Sequence, residues 1–285
     1  MKRRSRKINN VWLGAFILFA FLACYLVETN APGYGAGRIT YGEMIRRTTA
    51  NQTSEGTESV MNQEEVEMEN ELARPVRKVA FLTFDDGPSE NTKKVLDILE
   101  QYNIRATFFM VGEEITPERE DMIRKMVADG HLIGVHTYSH DRQAIYQSET
   151  SCIEDFMRVY NRIVEVTGVE PVYYRFPYGS ANYYITGFGK QVISEMEKEG
   201  LVYYDWNVSA EDSVGKTTQS AILNNIKIFK KYNEPVILLH DGSINDLTAK
   251  TLPIIIEKII AAGYEFDTID HRSKPYQWKH NWEQK

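Results

Sequence analysis

The sequence predicts an α/β fold, a closed or nearly closed (β/α) barrel of about seven parallel strands. Three observations predict it. From residue 76 onward, short apolar runs alternate with amphipathic stretches of helical period. Several of those helical stretches stop at a glycine, at Gly130, Gly168, Gly200 and Gly263. The unusual polar residues fall where the apolar runs end, and in a barrel of this kind active sites gather at the C-terminal ends of the strands.

The elements follow in order. VRKVAFLTF, residues 76–84, reads as a buried strand. Residues 89–103 read as a helix, with Ser89 as N-cap and Val95, Leu96 and Leu99 on its apolar side. ATFFMVG, 106–112, is a second strand, and 117–130 a helix. HLIGVHT, 131–137, is a short strand, followed by a long amphipathic helix over 149–167. VYYRF, 172–176, and LVYYDWNV, 201–208, are strands either side of a helix over 189–199. Residues 219–231 form a helix, PVILLHD (235–241) a strand and 248–262 a helix, and YEFDTI (264–269) closes the series.

What precedes the barrel differs in texture. MKRRSRK carries five positive charges and leads into residues 11–27, which hold no charged residue. Seventeen helical residues rise about 25 Å, just enough to cross a hydrocarbon core. Basic residues before such a span keep residues 1–10 in the cytoplasm and put the rest outside the cell membrane. A cleaved signal peptide, giving a secreted protein, is the alternative. Residues 28–75 are polar and acidic, a linker that lacks the apolar surface to offset ordering entropy. Residues 273–285 form a tail that carries two tryptophans. The net charge of −7 leaves no basic footprint for nucleic acid, and no protein partner is predicted. The two cysteines, Cys24 and Cys152, give neither a disulfide framework nor a thiolate zinc site.

Asp85 and Asp86 follow the first strand, and His136 and His140 end the third. Arg175 ends the fourth, Asp212 lies just beyond the fifth, and His240 and Asp241 follow PVILL. His136 and His140 are four apart, so on a helical turn both imidazoles reach one ion. Two histidines and one carboxylate leave an open position on zinc, as hydrolytic sites require. One aspartate of the pair then binds metal. The other, facing elsewhere on an extended backbone, is free to act as a base.

Thr83-Phe84-Asp85-Asp86-Gly87-Pro88, His136-Thr137-Tyr138-Ser139-His140, Arg175-Phe176-Pro177-Tyr178 and Ile237-Leu238-Leu239-His240 stand in an order that resembles the polysaccharide deacetylase family. This is the NodB-homology domain of carbohydrate esterase family 4; the resemblance covers about residues 76 to 270, within a domain expected over 76–272. It implies a distorted (β/α) barrel and a metal-dependent hydrolase. Asp85 would be the base, held by Arg175. Asp86, His136 and His140 would be the ligands of a divalent metal, usually zinc, with cobalt or nickel as alternatives. The Tyr178 N–H, beside Pro177, would bind the oxyanion. Leu239 would line the pocket for the acetyl methyl, and His240 would be the acid. Asp212 would orient His240, although Ser213 stands where an aromatic residue is common. The implied substrate is an N-acetylated cell-surface glycan, with peptidoglycan N-acetylglucosamine first. Chitin oligomers, exopolysaccharide, O-acetylated xylan and a non-catalytic glycan-binding domain are the alternatives.

Other residues carry weaker expectations. Asp205-Trp206 lies inside a predicted strand, so Trp206 is expected to pack in the core. Asp241 either supports the site or begins the following turn. Tyr183 and Tyr184 belong to a set of tyrosines that partly line a sugar groove or pack the barrel. His131, His271 and His280 lie off the strand-end pattern and receive no role.

Overall fold

The computed structural model of the chain describes residues 77–280 except Val214. Its centre is one parallel sheet, curled into an open half-barrel. The strands are β1 (Val79–Asp85), β2 (Thr107–Val111), β3 (Leu132–Thr137), β4 (Tyr173–Tyr174), β5 (Val202–Tyr203), β6 (Val208–Ser209), β7 (Val236–His240) and β8 (Glu265–Phe266). Their spatial order is β5-β4-β3-β2-β1-β7-β6, with β8 against the start of β1. Around it run α1 (Glu90–Tyr102), α2 (Glu120–Ala128), α3 (Arg142–Ile145), α4 (Glu149–Thr167), α5 (Gly189–Lys198), α6 (Gln219–Asn225) and α7 (Asp246–Ile260).

Local chemistry sets these boundaries. Ser89 caps α1 by accepting from the Asn91 N–H, and Thr92 accepts in return from the Ser89 N–H. Ser148 caps α4, which ends at Gly168 in the left-handed conformation. The pleat of β1 then sorts its side chains. Ala80, Leu82 and Phe84 enter the larger apolar cluster between sheet and helices. Val79 and Phe81 join Phe109, Tyr204, Val236 and Ile269 in a smaller cluster inside the curl. Asp85 belongs to this second, inward set, because strand side chains alternate faces.

The barrel, expected to be closed or nearly closed, is left open between β5 and β6, which do not pair. LVYYDWNV reads as one strand in the sequence, but it is two, β5 and β6, at opposite ends of the sheet order. Residues 204–207 step across between them. Tyr204 N donates to Tyr174 O on one side, and Asn207 N to Val236 O on the other. A seam spanned by chain rather than by a ladder replaces the missing strand pair. The fourth and eighth strands are also shorter than the apolar runs imply, at two residues each.

Asp205, in the seam, is buried and holds three donors: Ser180 N (2.9 Å), Ser180 Oγ and Trp278 N (2.8 Å). Trp278 Nε1 donates to Trp206 O, and Trp206 and Trp278 meet edge to face. Trp278 is therefore docked on the seam, and Trp206, expected in the core, is only half-buried even with Trp278 against it. Gly179, at φ +80°, has no room for a side chain: a Cβ would lie 2.3 Å from the Trp278 ring. His131 and His280 are structural, His131 Nδ1 accepting from Ala106 N and His280 Nε2 pairing with the Tyr203 hydroxyl.

Among the described residues no helix is long and apolar enough to cross a membrane, and the expected span over 11–27, with the linker after it, lies outside them. Asp205→Ala leaves buried donors without an acceptor, and the expected loss is about 3 kcal/mol. Urea unfolding of the purified domain measures it. A loss below about 0.5 kcal/mol, the range of ordinary surface substitutions, contradicts this bracket.

Candidate active site

Strand register brings the first pieces together. Asp85 lies opposite Phe109 of β2 and His240 of β7. It is buried, and Arg175 Nη1 donates to its Oδ1 at 2.9 Å. The same guanidinium donates to Thr83 Oγ1 (2.8 Å), Tyr204 O (2.9 Å) and Asp205 O (3.3 Å). Its carbon lies 4.2 Å from the centre of the Phe109 ring. Arg175 is fully buried, so its charge is tolerated because Asp85 and these oxygens surround it.

Asp86 turns away from its neighbour. Its φ of +77° puts it in the left-handed region, which aspartate adopts more readily than most residues. Asp86 Oδ1 then lies 3.3 Å from His140 Nε2 and 3.6 Å from His136 Nε2. His136 Nδ1 is 2.9 Å from Arg175 O, so that nitrogen carries the proton and Nε2 presents its lone pair to Asp86. Burial lowers the His136 pKa against the pull of Asp85 and Asp86, which favours the neutral, ligating ring. Asp86 Oδ1 is buried with no hydrogen-bond donor among the described residues. An orphaned carboxylate oxygen between two imidazole lone pairs suits a divalent cation. The three ligand atoms lie within 4.8 Å of one another.

The histidine pair reaches this geometry differently from the expectation. No helical turn joins them. His136 lies in β3, and the bend after it ends at His140 with φ +52°. Asp155 on α4 braces the bend, accepting from Thr137 Oγ1 (2.6 Å) and Tyr138 N (2.8 Å). Tyr178 also has a positive φ, +67°, unusual for a bulky residue. Of the five described non-glycine residues with positive φ, Asp86, His140 and Tyr178 lie at this site and Glu211 adjoins Asp212. Backbone in that region persists only where its surroundings hold it. Here Pro177 O accepts from Tyr146 Oη (2.8 Å) and Asn182 Nδ2 (3.2 Å), fixing the turn before Tyr178.

On the other side of Asp85, His240 Nδ1 meets Asp212 Oδ1 at 2.7 Å. Asp212 Oδ2 accepts from His240 N (2.9 Å) and from Thr248 Oγ1 (2.6 Å). Asp212 is therefore tied to His240 twice, while Ser213 beside it is exposed. Burial works against a charged His240, but the Asp212 hydrogen bond and the Asp85 and Asp86 charges raise its pKa to about 9.

Leu239 is placed differently from the expectation. It lies in the apolar cluster on the helix side of the sheet, fully buried. The pleat gives the face of His240 to Leu238, two residues earlier. Asp241 points the other way from His240 and supports the first turn. Its carboxylate takes the Thr92 hydroxyl, its carbonyl takes Ser89 Oγ, and a Cβ on Gly87 would lie 2.5 Å from it. Burial raises its pKa to about 7. Thr83, Asp155, Asp205 and Thr248 were the supports that strand-end logic missed. Polar residues inside apolar strands or on the buried side of a helix were the available signal.

Because the folded His240 pKa exceeds its ordinary 6.5, the Asp212 pair stabilises the fold fully below about pH 6.5 and loses that contribution as pH rises through about 9. In metal-free Asp212→Asn the expected pKa drops towards 6.5 or below, read from the imidazole proton resonances against pH. An unchanged value near 9 contradicts the pairing.

A family model described as polysaccharide deacetylase matches residues 73–201. A peptidoglycan-N-acetylglucosamine deacetylase of Bacillus cereus is 30% identical over 208 residues, covering 71% of this chain and 90% of that protein. The Bacillus subtilis protein YheN is also 30% identical, over 203 residues, covering 70% of this chain and 69% of that one. The solved catalytic domain of a peptidoglycan N-acetylglucosamine deacetylase from Eubacterium rectale superposes with a TM-score of 0.66 at 32% identity, covering 73% of this chain and 95% of that one. With that degree of likeness over most of the barrel, the chain belongs to the polysaccharide deacetylase family.

Proposed function

We propose that this chain removes N-acetyl groups from a cell-surface polysaccharide, with N-acetylglucosamine of peptidoglycan as the substrate. The observation that carries the chemistry is the division of labour between neighbouring carboxylates. Asp85 faces inward onto Arg175, and Asp86 faces the two histidines. The choice of glycan rests on the relatives' activity and on the expected outward placement of the domain behind a membrane span at residues 11–27.

Asp86, His136 and His140 would hold a divalent metal ion, zinc being the expected one. When bound, such an ion polarises an amide carbonyl and acidifies water. Asp85 takes the proton of the attacking water, and Arg175 keeps that carboxylate aimed. The Tyr178 N–H, for which no acceptor is found among the described residues, donates to the developing oxyanion. His240 protonates the departing nitrogen, since an amine anion cannot leave. Asp212 holds His240 in the right tautomer and favours its charged form. Leu238, on the same face as His240, offers apolar surface for the acetyl methyl. The products are acetate and a free amino sugar.

Acetate release tests this reading. The domain is stripped with chelator, restored with zinc, and given N-acetylglucosamine oligomers or purified peptidoglycan. Metal-dependent acetate is expected, and Asp85→Asn lowers kcat by about 10²-fold or more. His136→Ala abolishes stoichiometric zinc uptake in titration calorimetry. Zinc bound one to one, with no acetate from any N- or O-acetylated glycan, overturns the enzymatic reading and leaves a binding module.

A further inference from the structure

The large apolar side chains that stay in water sort to the two ends of the domain. Tyr178, Tyr183, Tyr184 and Ile244 follow β4 and β7, at the mouth that holds the site residues. Val169 and Val172 precede β4, Ile228 precedes β7 and Ile260 precedes β8, at the end away from the mouth. Ile260 and Val172 are each 49% exposed. A glycan at the mouth accounts for the first group and leaves the second without a purpose.

That second end carries charge as well. α6 runs into a tight turn over Ile226–Lys231, and this piece packs beside α7. Between them lies a groove of about 360 Å³. Its floor is apolar, with Leu223, Ile226, Phe229 and Ala262, and Lys227, Lys230 and Lys258 stand around it. Lys231 adjoins them, and all four lysines are exposed. The acidic residues of the same connections are engaged elsewhere. Glu234 meets Arg272 and Ser273, Glu265 meets Arg77, and Glu257 takes the Tyr102 hydroxyl. Among the described residues no carboxylate pairs with any of the four lysines.

We propose that this end of the domain docks on the anionic head groups of a lipid bilayer, an inference that rests on the expected placement beside a membrane and not on the deacetylation chemistry. Lysines draw a surface towards anionic lipid, and apolar side chains between them enter the head-group boundary. Lysine stems cover apolar surface while their ammonium groups stay among the phosphates. The valines before β4 belong to another sector of the same end. The apolar contacts are therefore spread along a rim, which suits a flat occupant better than a peptide filling one groove. Arg77, the first described residue, precedes β1 at this end, so residues 1–76, with the expected span at 11–27, join the domain there. β1 is seven residues long, so the mouth stands about 20 Å beyond the rim and opens away from the lipid.

The test follows a fluorophore that reports loss of water, placed on the full chain at Ile228→Cys or, at the mouth, at Tyr183→Cys. Both carry Cys24→Ser, and Cys152 is fully buried, so the added thiol is the one labelled. The vesicles are phosphatidylcholine alone, or phosphatidylcholine with about a quarter phosphatidylglycerol. A blue shift is expected at position 228 on the mixed vesicles alone, with none at 183. It is lost at about 1 M salt, where the screening length falls to about 3 Å. It is also lost when Lys227, Lys230, Lys231 and Lys258 are all changed to Gln. No shift at 228, equal shifts on the two lipids, equal shifts at the two positions, or a shift that survives the four substitutions each overturns the inference. If the substituted chain does not fold, reversal by salt with the lysines intact decides alone. If the chain does not float with neutral vesicles, the expected span fails on its own. Salt-sensitive flotation with the mixed vesicles then supports the docking surface, and its absence overturns it.

Discussion

A buried guanidinium organises this molecule. Arg175 fills the inside of the curl where a closed barrel would have packed apolar side chains. It ties β1, through Thr83 and Asp85, to the seam, through the carbonyls of Tyr204 and Asp205. Its own carbonyl fixes the tautomer of His136. A charge without solvent is costly unless every donor is answered, so these partners are mutually required. Sheet curvature, the aim of the inner carboxylate and the readiness of one imidazole all follow from satisfying that group. Lysine could not replace it, because a single ammonium cannot reach donors spread over a planar fork.

A second constraint is directional. A regular strand can point consecutive side chains only to opposite faces. The chain therefore leaves the extended region at Asp86 and again at His140, so that both converge on one point with His136. Left-handed backbone is unfavourable, and it is held here by groups that do nothing else. Asp155 braces the histidine bend, and Asp241 crowds Gly87 behind the aspartates. Many of the polar residues around the mouth act by fixing the backbone of those that face it.

Much of this was legible in the residues. β1, β2, β3 and β7 carry apolar runs long enough to announce themselves, and the site residues of that half fall at their ends. The other half was misread because two-residue strands have no period. LVYYDWNV is continuous in hydropathy, and only the carboxylate of Asp205 hints that the chain crosses a seam there. The misplacement of Leu239 was avoidable, since parity counted back from His240 reaches Leu238. The docking of Trp278 was not avoidable. A tail of scattered aromatics has no local signal for what it covers, and its partners Asp205 and Trp206 lie more than 70 residues away.

The open seam bears on how this domain behaves in crowded solution. An unclosed sheet exposes two edges, and unpaired edge strands are templates for joining other chains. Here the edges are β5 and β6, two residues each. One further backbone bond follows the first, from Tyr204 N to Tyr174 O, and one precedes the second, from Asn207 N to Val236 O. Neither edge offers enough consecutive donors and acceptors to seed a ladder with another molecule. Short edge strands of this kind leave little backbone for another chain to pair with.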